Sequence, residues 1–273
     1  MSRDITKEKE LHQKLEQKHE RMQAELVLAR NLQDTLIQQR APIFLNSEGC
    51  NTLEIATKYI PSFHLSGDFC SIVKTAEGGA AILMVDIMGH GVRAAMVTAM
   101  IQIAVHQLSD YASQPAEFMT RLNDIMQRTI QPSGQTMFAT AAYNYIDLEA
   151  KQLTYVQAGA RHGIHVPANN SKSASIFNSI SISPALGLLP GTHYMEASTQ
   201  LEPRDEIRLY TDGIVEAATG DGEYSETRLV DFRINHRRDK LSDMIDALLQ
   251  LVKEFTQTTK LDDDVCLIAL RIP

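Results

Sequence analysis

Ala80-Ala81-Ile82-Leu83-Met84-Val85-Asp86-Ile87-Met88-Gly89-His90-Gly91 decides the fold. Its first six residues are a continuous apolar run, which reads as a strand buried on both faces. From Val92 to Leu108 the apolar positions Ala94, Val97, Ile101, Ala104, Val105 and Leu108 recur at helical spacing instead. Between strand and helix stand one carboxylate, Asp86, and a turn with two glycines. A rigid buried strand therefore delivers an acid to the mouth of a helix.

Outward from this stretch the pattern repeats. Leu53-Glu54-Ile55-Ala56-Thr57-Lys58-Tyr59 alternates like a half-buried strand. Pro115 fits the first turn of a second helix, with Phe118, Leu122, Ile125 and Met126 as its apolar face. Strand-like runs follow at 137–146, 153–158, 163–166, 206–211 and 265–271. A helix carrying Leu241, Met244, Ile245, Leu248, Leu251, Val252 and Phe255 precedes the last of them. Consecutive strands with paired helices between them predict an α+β fold rather than regular βαβ alternation.

The chain of 273 residues is 44% hydrophobic, enough for a core without disulfides. A formal net charge of −8 excludes nucleic acid as the main partner, since phosphate binding needs clustered Lys and Arg. The three cysteines, Cys50, Cys70 and Cys266, have neither disulfide nor metal-ligand spacing and read as small buried hydrophobes. No signal-peptide core opens the chain, and the nearly apolar stretch 94–105 is too short to span a bilayer. The expectation is a cytoplasmic protein with no membrane contact.

Residues 1–40 differ from the rest. They hold eight Lys/Arg and seven Asp/Glu and no Gly or Pro. Leu15, Met22, Ala29 and Leu36 recur every seven residues, which predicts a helix that pairs with another helix in a homodimeric coiled coil, the alternative being a single amphipathic helix lying on its own domain. Ala41-Pro42 and the Asn46–Gly49 cluster mark residues 41–50 as a linker, leaving 51–273 as the main domain. Within it, residues 202–226 hold eight acids that read as a solvated loop face. Arg233, His236, Arg237, Arg238 and Lys240 form an opposite, basic patch.

Four places put an acid at the end of a strand or in a tight glycine turn: Ser66-Gly67-Asp68, Asp86-Ile87-Met88-Gly89, Thr211-Asp212-Gly213 and Asp262-Asp263-Asp264. A lone Asp-Gly is commonly only a turn. Four acids in one grammar, without Cys or His partners, suit hard oxygen-loving cations, Mg²⁺ or Mn²⁺ rather than Zn²⁺. Two such ions sharing a water can promote phosphoryl hydrolysis. Rival phosphatase chemistries lack their signatures: there is no C-x₅-R loop, no D-x-D-x-T/V nucleophile, no G-x-S-x-G elbow and no Walker loop.

These segments resemble the PPM-type metal-dependent serine/threonine phosphatases of the bacterial SpoIIE/RsbU branch. The resemblance rests on Ser66-Gly67-Asp68-Phe69, on Asp86 to Gly91, on Tyr210-Thr211-Asp212-Gly213-Ile214-Val215-Glu216-Ala217 and on Asp263-Asp264-Val265-Cys266-Leu267. It extends to Met137-Phe138-Ala139-Thr140, to 153–159, 186–191 and 223–229, and to the helix at 25–33. It implies a β-sandwich flanked by helices in four layers, with two metals at one end. By the same resemblance Asp86 bridges both ions and the Ile87 carbonyl completes one sphere. Asp212 and Asp263 bind one ion, Asp68 serves the other, and Asp86, Asp212 and Asp263 carry catalysis. His90 shapes the turn, Glu216 orients ligands, and Asp262 and Asp264 are solvated neighbours.

The substrate implied is phosphoserine or phosphothreonine on a STAS-domain anti-sigma-factor antagonist in a partner-switching pathway. Two alternatives stay open: a non-catalytic phosphatase-like binding module, and a two-metal hydrolase of small phosphoesters. The departures from the family pattern are Ser66 for a frequent Gly, Cys70 for Tyr, Cys266 for Thr, Ser225 for Gly, and Ala160-Arg161 for His-Asn. None removes a metal ligand.

Overall fold

The computed structural model describes residues 6–37, 41–62, 65–130, 137–159, 163–169, 174–177, 183–220, 222–232, 240–258 and 261–273. Helix α1 (Thr6–Ile37) is followed by strands β1 (Phe44–Leu45), β2 (Asn51–Ile60), β3 (Phe69–Lys74) and β4 (Ala80–Ile87), then by helices α2 (Val92–Gln107) and α3 (Pro115–Ile130). Next come β5 (Ala139–Asp147), β6 (Gln152–Ala158), β7 (Gly163–Val166), β8 (Ser175–Ile176), β9 (Ala197–Gln200) and β10 (Glu206–Tyr210). The chain ends with the single turn α4 (Asp212–Val215), the small hairpin β11 (Ala218–Thr219) and β12 (Gly222–Glu223), α5 (Ser225–Asp231), α6 (Leu241–Thr256) and β13 (Val265–Arg271).

Two antiparallel sheets carry the fold. One has the strand order β1-β2-β13-β10-β7-β8 and the other β3-β4-β5-β6-β9. Strand periodicity sorts β4 cleanly. Ala81, Leu83, Val85 and Ile87 pack toward α2 and α3, with Phe118, Leu122 and Met126. Ala80, Ile82 and Met84 face the other sheet, meeting Leu209, Ile268 and Leu270. The outer face of that second sheet, with Leu267 and Ala269, is covered by α5 and α6. The result is the expected α+β sandwich in four layers, helix–sheet–sheet–helix.

Several expectations need correction. Within the expected linker 41–50, Phe44 is fully buried and β1 pairs with β2, because an apolar ring there extends the inter-sheet core. In α6 the buried position is Leu249, while Leu251 is 40% exposed, since Leu249 stands four residues from Ile245 on the face turned to the sheet and Leu251 falls outside it. Cys50 is exposed rather than buried. Asp205 and Glu206 do not belong to a solvated face: both are buried, Asp205 against His165 at 2.8 Å and Glu206 between Arg208 and Arg271. Ser225, where glycine is frequent in the resembling sequences, adopts a left-handed φ of 69°, a conformation that glycine takes without strain. The basic cluster Arg233–Arg238, the Ala160-Arg161 departure and Asp221 lie outside the described residues.

Helix α1 packs its C-terminal part on α2 and β3. Among its described residues Gln33 alone is buried, whereas Leu11, Leu15, Met22, Leu28 and Leu32 are more than half exposed.

Candidate metal centre

The strand phase that faces the partner sheet carries the acids to one corner of the sandwich. Asp86 continues the inward phase of Ile82 and Met84 at the end of β4. Asp212 opens α4 directly after β10, and Asp263 precedes β13, the neighbour of β10. Asp68 comes from the other sheet, just before β3, and is 3% exposed. Gly89 and Gly91 have φ of 88° and 82°, a reversal that glycines accept and that aims the chain from Asp86 into α2. His90, between them, lies near enough to Asp263 for its charge to favour the ionised carboxyl.

The four acids act on one another's charge. Burial, then the charges of Asp212 and Asp263, push Asp86 up to about 7. Asp86 also lies within hydrogen-bond reach of Asp212 and Asp68, a contact two carboxyl groups make by sharing a proton or a cation. Burial first, and the Asp86 charge second, hold Asp68 well above the carboxylate range. Asp263 is raised by burial and by Asp212, partly offset by the Asp264 N–H donated to it at 2.7 Å. Glu216 is raised by desolvation and then by Asp212.

The Ile87 carbonyl faces the Asp68 loop. A Cβ added at Gly67 would stand 2.9 Å from the Ile87 oxygen and 3.0 Å from that of Gly89. Only glycine lets these two segments come so close.

The expected ligands are thus gathered, but not closed. Among the described residues, no three His, Cys, Asp or Glu side chains stand close enough together to hold a metal ion. The donors nevertheless fit a hard divalent cation. All are oxygens, their mutual repulsion favours any cation that enters, and Asp68 Oδ2 is buried with no hydrogen-bond partner.

Residues that sequence reasoning missed hold this corner in shape. Asp264, expected to be solvated, is 4% exposed and accepts the Ser62 N–H at 2.7 Å, the Ser62 hydroxyl at 3.0 Å and the Gly67 N–H at 3.2 Å. Its place two residues before inward-facing Cys266 was the available signal. Thr211 accepts the Cys266 N–H at 2.9 Å and stands beside Asp68, where its hydroxyl opposes the rise in the Asp68 pKa. The Gln33 amide grips Ser66 from α1, donating to its carbonyl at 2.8 Å and accepting its N–H at 3.1 Å. Ser66 Oγ in turn accepts the Asp68 N–H at 2.9 Å. Nothing in the heptad pattern singled out Gln33.

Comparison with known proteins supports the same reading. Residues 76–273 match the model of the family described as Stage II sporulation protein E (SpoIIE). Phosphoserine phosphatase RsbU of Bacillus subtilis is 28% identical over 264 residues, covering 95% of this chain and 73% of that one. The SiaA-PP2C domain of Pseudomonas aeruginosa has the same fold, with a TM-score of 0.78 and 19% identity over 93% of this chain and 98% of that one. RsbX, solved in complex with magnesium, superimposes with a TM-score of 0.60 at 19% identity, over 86% of this chain and all of that one. With the family model spanning most of the chain and the sandwich in place beneath it, this protein belongs to the SpoIIE family, within the RsbU branch of PPM-type phosphatases.

Proposed function

We propose that this protein hydrolyses phosphoserine or phosphothreonine on a regulatory protein, with two divalent cations, Mn²⁺ or Mg²⁺, held by Asp68, Asp86, Asp212, Asp263 and the Ile87 carbonyl. The observation that carries this reading is the meeting of four acids from both sheets at one corner, where Asp86, Asp212 and Asp263 each raise the pKa of another. The magnesium in RsbX supports a hard-cation site in this fold. When bound, such ions lower the pKa of a water and neutralise the phosphoryl oxygens for in-line attack.

The residues of the chain do the rest. Asp86, between the other acids, orients donors on both sides of the site. Thr211 and the Ser66 hydroxyl fix the Asp68 segment from side chain and backbone. Asp264 ties the Asp68 loop to the start of β13. The open rim at Asp263 and Glu216, both exposed, leaves room for a loop of a protein substrate.

For the partner we favour a phosphorylated STAS-domain protein. The family resemblance and the phosphoserine phosphatase RsbU support that choice. Among the described residues no helix is long and apolar enough to cross a membrane, and a cytoplasmic substrate is consistent with that. The exposed stripe of α1 supports a homodimer through residues 1–40.

A second reading, a non-catalytic phosphatase-like binding module, is favoured by one observation, the ligand set that stops short of closure. One assay separates the two. Phosphate release from a phosphorylated STAS-domain protein is followed with Mn²⁺, with EDTA, and with Asp86→Asn. Mn²⁺-dependent release that EDTA and the substitution abolish supports catalysis. Partner binding without release supports the module.

A further inference from the structure

Buried hydrogen bonds hold a loop whose own side chains stay in water. Leu186 exchanges both backbone hydrogen bonds with Ala139, at 2.8 and 2.9 Å. One residue on, the Asn123 side chain accepts the Gly187 N–H at 2.8 Å and donates to the Leu189 carbonyl at 3.1 Å, and Gln127 donates to the Gly187 carbonyl. Both amides come from α3 and are buried. Taking an amide out of water is costly unless it bonds, so α3 commits two buried positions to this loop. Yet what the loop displays is apolar: Leu188 and Leu189 are 42% and 50% exposed. A leucine pair already ordered gives up little conformational entropy when a partner covers it.

The loop stands beside the metal corner. Ala139 pairs with Ile87 on one side and bridges Leu186 on the other. Met88, next to Ile87 and 46% exposed, donates its N–H to the Phe138 carbonyl at 3.0 Å. Two strand spacings, about 10 Å, therefore separate Ile87 from Leu186, with the exposed leucines just past the far end. A stable protein interface covers about 800 Å² on each partner, a disc of about 16 Å radius. A protein whose phosphoserine enters the corner reaches this loop as well. The opposite flank of the corner differs, since Glu216, Asp262 and Asp263 are exposed there. Apolar contact is offered on the β5 side, charge on the β13 side.

We propose that Met88, Leu188 and Leu189 form an apolar shelf that receives an aliphatic side chain near the phosphoserine of the substrate protein. The proposal rests on the phosphatase reading and adds the chemistry by which that site chooses among phosphoproteins. An extended chain rises about 3.3 Å per residue, so a side chain about two to four residues from the phosphoserine spans the gap between corner and shelf. The shelf lies outside the reacting atoms. Its contact is the same before and during the reaction, and therefore lowers KM and leaves kcat alone.

The test compares three substrates of the full-length protein with Mn²⁺. They are p-nitrophenyl phosphate, a peptide with leucines at the second to fourth positions on both sides of a phosphoserine, and the same peptide with serines there. Wild type should favour the leucine peptide by about 10-fold in kcat/KM, the effect of a small apolar contact. Leu188→Ser with Leu189→Ser should erase that preference through KM and leave p-nitrophenyl phosphate hydrolysis unchanged. Leu188→Met with Leu189→Met, which conserves volume and apolarity, should keep the preference. No preference in wild type, or one that survives the serine pair, would overturn the proposal. So would a parallel loss of p-nitrophenyl phosphate hydrolysis, which would make the leucines part of the corner's own fold. Fluorescence anisotropy of labelled forms of the two peptides, with Mn²⁺, separates the shelf from the phosphatase reading. Tighter binding of the leucine peptide without phosphate release would uphold the shelf and sink that reading; equal binding with release intact would sink the shelf alone.

Discussion

The space between the sheets and the corner where they meet are built from the same strands, with opposite energetics. Between the sheets, Ile82, Met84, Leu209 and Ile268 are each 0–1% exposed, and removing their surface from water stabilises the fold. Two residues beyond Met84 the same inward phase delivers Asp86, and the corner gathers acids that repel one another and leave Asp68 Oδ2 without a partner. That arrangement costs stability until something positive binds. The core makes the fold, and the corner uses part of what the core supplies.

The largest expected effect tests the corner. Asp86→Asn removes a charge that its neighbours resist, so the metal-free protein should unfold at a higher temperature than wild type. Mn²⁺-supported phosphate release should fall more than about 100-fold, beyond the 10–100-fold typical when only a group that orients ligands is lost. Asp212→Asn should lose turnover similarly. Wild-type release by either variant at saturating Mn²⁺ would break the contrast, because the acids would then be structural.

The core should respond the other way. Ile82→Ala deletes fully buried methyl and methylene groups at a distance from the corner, and should cost about 2–5 kcal/mol in urea unfolding. Turnover per folded molecule should stay near wild type. A variant that keeps its stability but loses turnover would mean the two regions are not separable.

Acidity sharpens the contrast further. Asp86 is raised from 3.8 to about 7, so its protonated form favours the folded, metal-free protein. That contribution is fully present below about pH 4 and is lost as pH rises through about 7. Thermal unfolding in EDTA should therefore show stability falling between about pH 4 and pH 7, with a shallower slope in Asp86→Asn. Metal must displace the same proton, so Mn²⁺ affinity should rise across that window. An Mn²⁺ affinity flat from pH 6 to 8 would count against Asp86 as a ligand.

Legibility in the sequence follows the same division. Strands β2, β4, β6 and β13 and the helices α2, α3 and α6 announced themselves because a buried face imposes a period, and burial is what periodicity records. Asp86, Asp212 and Asp263 were legible because each follows or precedes a strand that the sequence showed, and Asp68 because it closes the Ser66-Gly67-Asp68 turn. β3, β8 and β9 were missed: β3 at the sheet edge is half-buried along most of its length, and the other two are short, so neither alternation nor a run develops. Asp264 and Gln33 were missed for another reason. Their roles depend on chain segments 197 and 33 residues away, and no local pattern encodes such a contact.

The smallest expected effect concerns α1, where covering is incomplete. Leu15 and Met22 are 66% and 56% exposed on a helix whose one buried residue, among those described, is Gln33. Each such side chain gains roughly 1.5–3 kcal/mol when fully buried, so pairing two copies along the seven-residue stripe supplies what the single chain lacks. Leu15→Glu with Met22→Glu should convert a dimer to a monomer in light scattering, since two like-charged seams cannot share a dry interface. If α1 also steadies the corner, it does so through the Gln33 amide and Ser66, whose hydroxyl holds the Asp68 N–H. Gln33→Ala should then leave the dimer intact while raising, by a few-fold, the Mn²⁺ concentration needed for half-maximal turnover. A dimer that survives both Glu substitutions refutes the seam. An unchanged Mn²⁺ requirement in Gln33→Ala refutes the link, and would leave α1 as a dimerisation element that the metal corner does not feel.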